Sequence, residues 1–556
     1  MSAEPTNPSI WNLFTGNESD RPPEDEPSFW SLFTTDEKAE AKAVPSVAMP
    51  PRPSAGEFDE QRIFWAMRHL PVAEALKHLA VLGVTGGGKS TMVQLLLQSI
   101  APRFRRSRSK PEQLILFDGK CDAVTQLASL GLYPEDKNVH ILNPFDERCS
   151  VWDMCAETDT PLKARNLASL LVPEEKQSTS PFFSESACDL IYAVMLGLNR
   201  AGMPWTFRDL ICALDTKERM EAITARDPRG KFIFQRIFSD DKHAFGVHSS
   251  LGSKIVRFEQ VAALWHSAPK TAKKFTLKEF LSKPGVLILG DHPKLHASLW
   301  PINALLMKAL TEEILSNPED TRQPRHWFVL DEFPVMEQVA CVPDLLRRGR
   351  SKGVCVMLGA QGIESLSTRY GADGTEDMLS QCAYKTFLRS GGPKTAKWAE
   401  QFFGQVRTTE ANYSESWSKD GRSCSVSYHT TERFLILAAT FLNLPLPQRG
   451  GWLVSVSDVP CLEASYITRR WFDEVLSWLE LRSTIPALLP RTNVDEQTLQ
   501  PWTPEEEKDF AGIIQSKSKK KKSKQKKRSA AAKGAESPAY LPGVERRSRK
   551  QLPPDF

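Results

Sequence analysis

Residues Gly83-Val84-Thr85-Gly86-Gly87-Gly88-Lys89-Ser90 fit the spacing GxxxxGK[ST]. Glycines let backbone N–H groups approach phosphate oxygens with no side chain in the way. A helix starting near Lys89 aims its positive dipole end at the same group. Lys89 is then expected to reach the β- and γ-phosphates of ATP, and Ser90 to ligate Mg2+. The whole binding segment runs from Gly83 through Thr85, Gly86, Gly87 and Gly88 to Thr91. A glycine-rich surface loop is the alternative. The flanks argue against it, because the short apolar run HLAVLG (78–83) precedes the motif and KSTMVQLLLQSI (89–100) reads as a helix.

Hydrolysis also needs a carboxylate at the end of another strand. HWFVLDEF (326–333) reads as a buried strand that ends in Asp331 and Glu332. Open α/β sheets bind ligands at that carboxyl edge. Asp331 is expected to hold Mg2+, and Glu332 to orient and deprotonate the attacking water. The competing reading makes these acids a helix N-cap. VCVMLGAQ (354–361) is a further strand, and its last residue, Gln361, could sense the γ-phosphate or the water. Arg347, Arg348, Arg350 and Lys352 form a basic turn just before that strand. Arg350 is the favoured arginine finger, supplied to a neighbouring subunit. A solvated loop or a DNA-backbone contact remains the alternative for that turn.

These residues need a scaffold that gathers strand ends. LILFD (114–118), VHILN (139–143), GVLILG (285–290) and YKTFLRS (384–390) add further strand signals, with helical stretches between them. Strands alternating with helices indicate an α/β fold with a mainly parallel sheet. The pattern between about 160 and 280 is helical, which predicts an all-α domain inserted after the first strands. The expected layout is an acidic head (1–58), a first α/β part (59–160), the helical insertion (161–280), a second α/β part (281–484) and a polar, basic tail (485–556). Segment 434–456 is expected to be a helix leading to an edge strand, with an amphipathic helix at 471–482 after it.

The 556 residues carry a net charge of +4, which conceals a head of −6 and, from 511 onwards, a tail of +11. Both ends are expected to be disordered. The head repeats PSIWNLFT (8–15) as PSFWSLFT (27–34). Two copies suit bivalent docking to a partner, or packing on the protein's own body. The tail holds nine basic residues between Lys517 and Arg528. Such a tract suits DNA backbone, then anionic lipid, or serves only to solubilise. Arg103, Arg105, Arg106, Arg108 and Lys110 form a smaller cluster, either a DNA contact or a solvated loop. Ten cysteines with no CxxC pair fit a reducing compartment and no zinc site. The sequence has no secretory signal and no run of about 18 apolar residues, so no membrane span is expected.

The ordered set GVTGGGKST, LILFDGK, ILNPFDERCSVWDM, PFFSESACDLI, VLDEFPVM, RRGRSKGVCVMLGAQ and LPLPQRGGWLVSV resembles the type IV secretion coupling proteins, the TraG/TraD-like conjugation ATPases, over roughly residues 75–475. The resemblance implies a RecA-like P-loop ATPase domain carrying an inserted all-α domain. It implies a homo-hexameric ring that moves DNA, or a relaxase–DNA complex, towards a secretion channel. By position it places the phosphate loop at Gly83–Thr91, the acidic pair at Asp331 and Glu332, the finger at Arg350 and the sensor at Gln361.

Family members usually begin with two membrane-spanning helices and carry D-P-K-G after the second strand. This chain shows no such helices and reads Asp118-Gly119-Lys120-Cys121. A cytoplasmic protein, held at the inner face of a bacterial membrane by a channel or anchor partner through the Trp-Leu-Phe repeats, is the expectation. The alternatives are a soluble intracellular DNA-pumping motor, in segregation, packaging or defence, and a non-hydrolysing adaptor for secreted proteins.

Overall fold

Alternation of apolar residues along the central strands sorts them onto two faces. Ala80, Leu82, Ile115, Phe117, Leu287, Leu289, Phe328 and Leu330 enter one buried cluster, and Leu79, Val81, Leu114, Leu116, Val286, Ile288, Trp327 and Val329 enter another. Strands buried on both faces belong to the interior of a layered α/β structure.

The computed structural model describes residues 61–512 apart from 67, 106–109, 173–180, 293, 337–338, 419–420, 447–451, 458–462 and 469–483. A short hairpin, β1 (Arg62–Trp65) and β2 (Arg68–Pro71), precedes β3 (Leu79–Leu82), β4 (Gln113–Asp118) and β5 (Val139–Ile141). The two-residue strands β6 (Val151–Trp152) and β7 (Lys274–Phe275) pair with each other and bracket helical chain. Then follow β8 (Gly285–Gly290), β9 (His326–Leu330), β10 (Val354–Ala360) and β11 (Tyr384–Phe387). Two long strands, β12 (Gln405–Ser418) and β13 (Gly421–Phe434), precede β14 (Trp452–Ser457) and β15 (Glu463–Thr468).

The main sheet has the order β15-β14-β11-β3-β10-β9-β4-β8-β5. The strands from β11 to β5 pair in parallel, while β14 and β15 add antiparallel at one edge. Segment 434–456 thus holds the expected helix (Ala438–Asn443) and strand, but β15 lies outside that strand, and Phe434 closes a hairpin. The amphipathic helix expected at 471–482 lies outside the described residues, as do the Trp-Leu-Phe repeats and the lysine tract. Among the described residues, no helix is long and apolar enough to cross a membrane.

Between β5 and β8 the chain is almost wholly helical, from Met154–Glu157 to Leu277–Ser282. Helix Pro181–Arg200 runs through its middle, and its Leu190, Ile191, Val194 and Met195 are buried. These helices share a continuous apolar cluster with one sheet face, partly through helix His296–Ser316.

Two expectations need correction. Residues 484–512 are not a loose tail. Arg491 Nη1 donates to the Leu264 carbonyl at 2.7 Å, and Trp502 is buried with Nε1 donating to Asp209 Oδ1 at 2.9 Å. Arg208 grips Glu506 at 2.8 and 3.1 Å, and Thr503 caps helix Pro504–Ala511 through a capping box. A few anchors, well spaced in a polar and proline-rich stretch, hold it on the helical part. The second correction concerns the cluster near residue 105. Arg103 is no surface contact: it is buried, and its Nη1 pairs with Glu112 Oε1 at 3.1 Å. Trp327 Nε1 donates to the other oxygen of the same carboxylate at 2.9 Å.

Candidate functional site

Strand order builds the site. β3, β10, β9 and β4 are consecutive neighbours, and all four run the same way. Leu82 pairs with Ala360, and Leu358 with Leu330, so the strands end at one edge. The residues just beyond them are Gly83, Gln361, Asp331 and Gly119. Four segments far apart in sequence therefore deliver side chains to one cleft.

The loop after β3 turns into helix Lys89–Ile100. Gly86 and Gly88 have φ of 76° and 102°, a conformation that side-chain-bearing residues seldom adopt. That geometry sets the glycine loop directly ahead of the helix N-terminus, the kind of arrangement that binds anions. Lys89 is buried and folds back, with Nζ donating to the Gly83 carbonyl at 2.7 Å. Its Nζ also lies 3.5 Å from Glu332 Oε1. Burial pulls the Lys89 ammonium below the usual lysine range, and the Glu332 and Asp331 carboxylates oppose that.

Asp331 and Glu332 follow β9 directly and do not cap a long helix. Glu332 sits at φ 56°, ψ 43°, in the left-handed region, and a three-residue 3-10 turn (Phe333–Val335) follows. A non-glycine residue there carries about 1–2 kcal/mol of strain, a kind of strain that clusters at functional sites. On the neighbouring strand, a Cβ at Gly359 would come within 2.8 Å of Asp331 Oδ1. Glycine at that position keeps room for the carboxylate. Gln361 Nε2 donates to Glu332 Oε2 at 3.3 Å, so the amide steers the acid.

Lys120, in the loop after β4, also joins the cleft, which composition and spacing did not reveal. Its Nζ donates to Ser90 Oγ at 2.8 Å and to Asp331 Oδ2 at 2.5 Å. Ser90 and Asp331 thus share one cation. Nearby Asp118 is buried at the end of β4, and burial pushes its carboxyl up to about 6.

Arg350 is not in this cleft. It lies on the 3-10 turn Gly349–Lys352, ahead of β10 and hence at the opposite end of the sheet. There it is exposed and close enough to influence Glu74 and His78 electrostatically. His78 is buried and bridges the Leu346 carbonyl (3.0 Å) and the Val356 N–H (3.2 Å). Two neighbouring cations are occupied by surface acids: Arg347, on the preceding helix Val342–Arg348, by Asp377 at 2.5 Å, and Lys352, on the turn, by Asp320 at 2.7 Å. The nine cysteines among the described residues are free thiols, and those residues contain no cluster of three or more His, Cys, Asp or Glu suited to a metal.

Comparison with known proteins gives a consistent result. The Escherichia coli (strain K12) coupling protein TraD is 23% identical over 353 residues, covering 62% of this chain and 46% of TraD. The chain thus spans about half the length of that curated relative. Among solved structures, the bacterial conjugative coupling protein TrwBdeltaN70 in complex with sulphate superposes with a TM-score of 0.58 at 18% identity, covering 78% of this chain and 92% of that one. Plasmid coupling protein TrwB in complex with ADP and Mg2+ gives 0.56 at 19% identity, with the same coverage. The family model of the type IV secretion-system coupling protein DNA-binding domain matches residues 65–465, and over that span, well beyond half its length, the chain belongs to this family.

Proposed function

We propose that this protein is a Mg2+-dependent ATPase that drives DNA, alone or with a bound relaxase, towards a transfer channel, working as a homo-hexameric ring. The observation that carries the reading is the convergence of Lys89, Ser90, Asp331, Glu332 and Gln361 at one sheet edge, in a chain of the coupling-protein family. A related structure holds ADP and Mg2+, which supports the choice of ligand.

The chemistry follows from the geometry. Loop N–H groups and the N-terminus of helix Lys89–Ile100 bind the phosphates. Lys89 exchanges its contact with the Gly83 carbonyl for the β- and γ-phosphate oxygens. Ser90 Oγ and Asp331 would hold Mg2+, which would neutralise charge on the phosphate oxygens when bound. Glu332 accepts a proton from the water whose oxygen attacks the γ-phosphorus, while the bond to the β–γ bridging oxygen breaks. Gln361 keeps the Glu332 carboxylate aimed. Arg350 has no path to its own site, so its part is to stabilise charge at the site of the next subunit.

Lys89→Ala tests the reading. DNA-stimulated ATP hydrolysis should fall to background, while the circular dichroism spectrum stays unchanged. Turnover equal to that of the unaltered protein would sink it. A partner at the membrane, engaged through the Trp-Leu-Phe repeats, is part of the same proposal. Loss of membrane association after deletion of residues 1–40 is the expected result.

A further inference from the structure

Among the described residues, Lys120 is the cation that sits directly on both oxygens assigned above to the metal. Its ammonium lies 2.8 Å from Ser90 Oγ, 2.5 Å from Asp331 Oδ2 and 3.8 Å from Glu332 Oε1. Two carboxylates and a hydroxyl thus face the Lys120 ammonium, with Lys89 Nζ 3.5 Å from the same Glu332 oxygen, where a divalent ion would serve in a loaded site. The backbone carrying Lys120 is pinned on its far side. Cys121 adopts φ 57° and its Sγ donates to the Asp291 carbonyl at 2.7 Å, while the Asp122 N–H donates to Asp118 Oδ1 at 3.0 Å. The side chain itself is about one third exposed, so the arm can swing while its base stays fixed. Asp122 lines the same cleft, within electrostatic reach of Lys120. It offers the ammonium a second partner.

We infer that Lys120 is a built-in counter-cation at the metal position and must be displaced for the metal to enter. The exchange is one cation for another. Without nucleotide, Lys120 neutralises Asp331 and keeps the Asp331 and Glu332 carboxylates from repelling each other. When the metal–nucleotide complex arrives, the ammonium leaves for Asp122. The metal therefore competes with a tethered lysine, and free divalent ion at low concentration is excluded. This rests on the reading of Ser90 and Asp331 as metal ligands.

The test uses the full chain and a fluorescent ADP analogue, with binding followed as Mg2+ is raised from a chelated start. Unaltered protein should show Mg2+-dependent binding that Asp331→Asn weakens. Lys120→Met keeps the length of the arm and removes its charge. It should lower the Mg2+ concentration at half-maximal binding by about threefold to fivefold, the scale of one partly exposed ion pair. Lys120→Arg keeps the charge and should stay near the unaltered midpoint, which separates charge from shape. A midpoint for Lys120→Met that is unchanged or raised overturns the inference while leaving the nucleotide site intact. Binding by unaltered protein that ignores both Mg2+ and Asp331→Asn overturns the nucleotide-site reading, and this inference with it.

Discussion

At the residue scale, the proposed function assigns binding and bond breaking to different residues. Lys89 and Ser90 open the helix after the glycine loop, where the phosphates are proposed to bind, whereas Glu332 follows β9 and accepts from Gln361. Glu332→Gln preserves shape and removes the base. It should leave ADP affinity within about twofold and cut hydrolysis by about 10²–10⁴. Equilibrium binding measured beside steady-state turnover checks this, and parallel loss of both would mean that Glu332 holds the loop together. Lys89 and the acid pair were legible in sequence because each has a local signature: glycines before a helix, and acids closing an apolar run. Lys120 was not. Its role depends on the loops after β3, β4 and β9 meeting, and chain order does not state that β9 lies beside β4. Gly359 carried a weak signal, a glycine inside a strand, which often marks a close approach by another group.

At the element scale, the largest surprise is the hairpin β12–β13. Its register runs from Gln405↔Phe434 to Ser418↔Gly421, forming a two-stranded sheet of its own. Tyr413, Trp417 and Tyr428 lie exposed on it. Asp420-Gly421 between alternating residues was the available sequence signal, since Asp-Gly suits tight hairpin turns. A serine-rich composition masked it. The Gly404 carbonyl accepts from the Leu435 N–H at 3.0 Å and closes the base. Excising 407–432 and joining the ends by a tight turn should therefore change the stability of the body by less than about 1 kcal/mol in urea unfolding. A larger loss would mean that the hairpin props up the sheet.

The segment 484–512 behaves in the opposite way, although its composition is equally polar. Trp502 is buried, stacks on Phe510 with ring centroids 5.2 Å apart, and donates to Asp209. Arg219 lies over its ring, with the guanidinium carbon 5.2 Å from the centroid. Trp502→Ala should cost about 3–5 kcal/mol, as large-to-small changes of buried aromatics do. Urea unfolding followed by circular dichroism would show it, and a cost near zero would mean that the segment only rests on the helices. Composition cannot distinguish such a strap from a tail, because one tryptophan and a few arginine contacts decide the matter.

At the scale of the whole molecule, the decisive distance is the length of a strand. β10 runs from Val354 to Ala360, with Arg350 before its start and Gln361 after its end. Seven residues at about 3.3 Å each place the two roughly 23 Å apart. An arginine that far from its own phosphate loop can act there only by belonging to a different copy. In a head-to-tail ring each interface pairs one copy's loop with the next copy's opposite end. Lys89→Ala and Arg350→Ala should then each abolish hydrolysis alone, for different reasons. Mixed in equal amounts and allowed to reassemble, about one interface in four joins an intact Lys89 site to an intact Arg350. Measurable ATPase activity should return on mixing. Silence in the mixture, with ring assembly verified by sedimentation, would reject action across the interface. Full activity of Arg350→Ala alone would remove the finger from the mechanism and leave that turn as a solvated or DNA-facing surface.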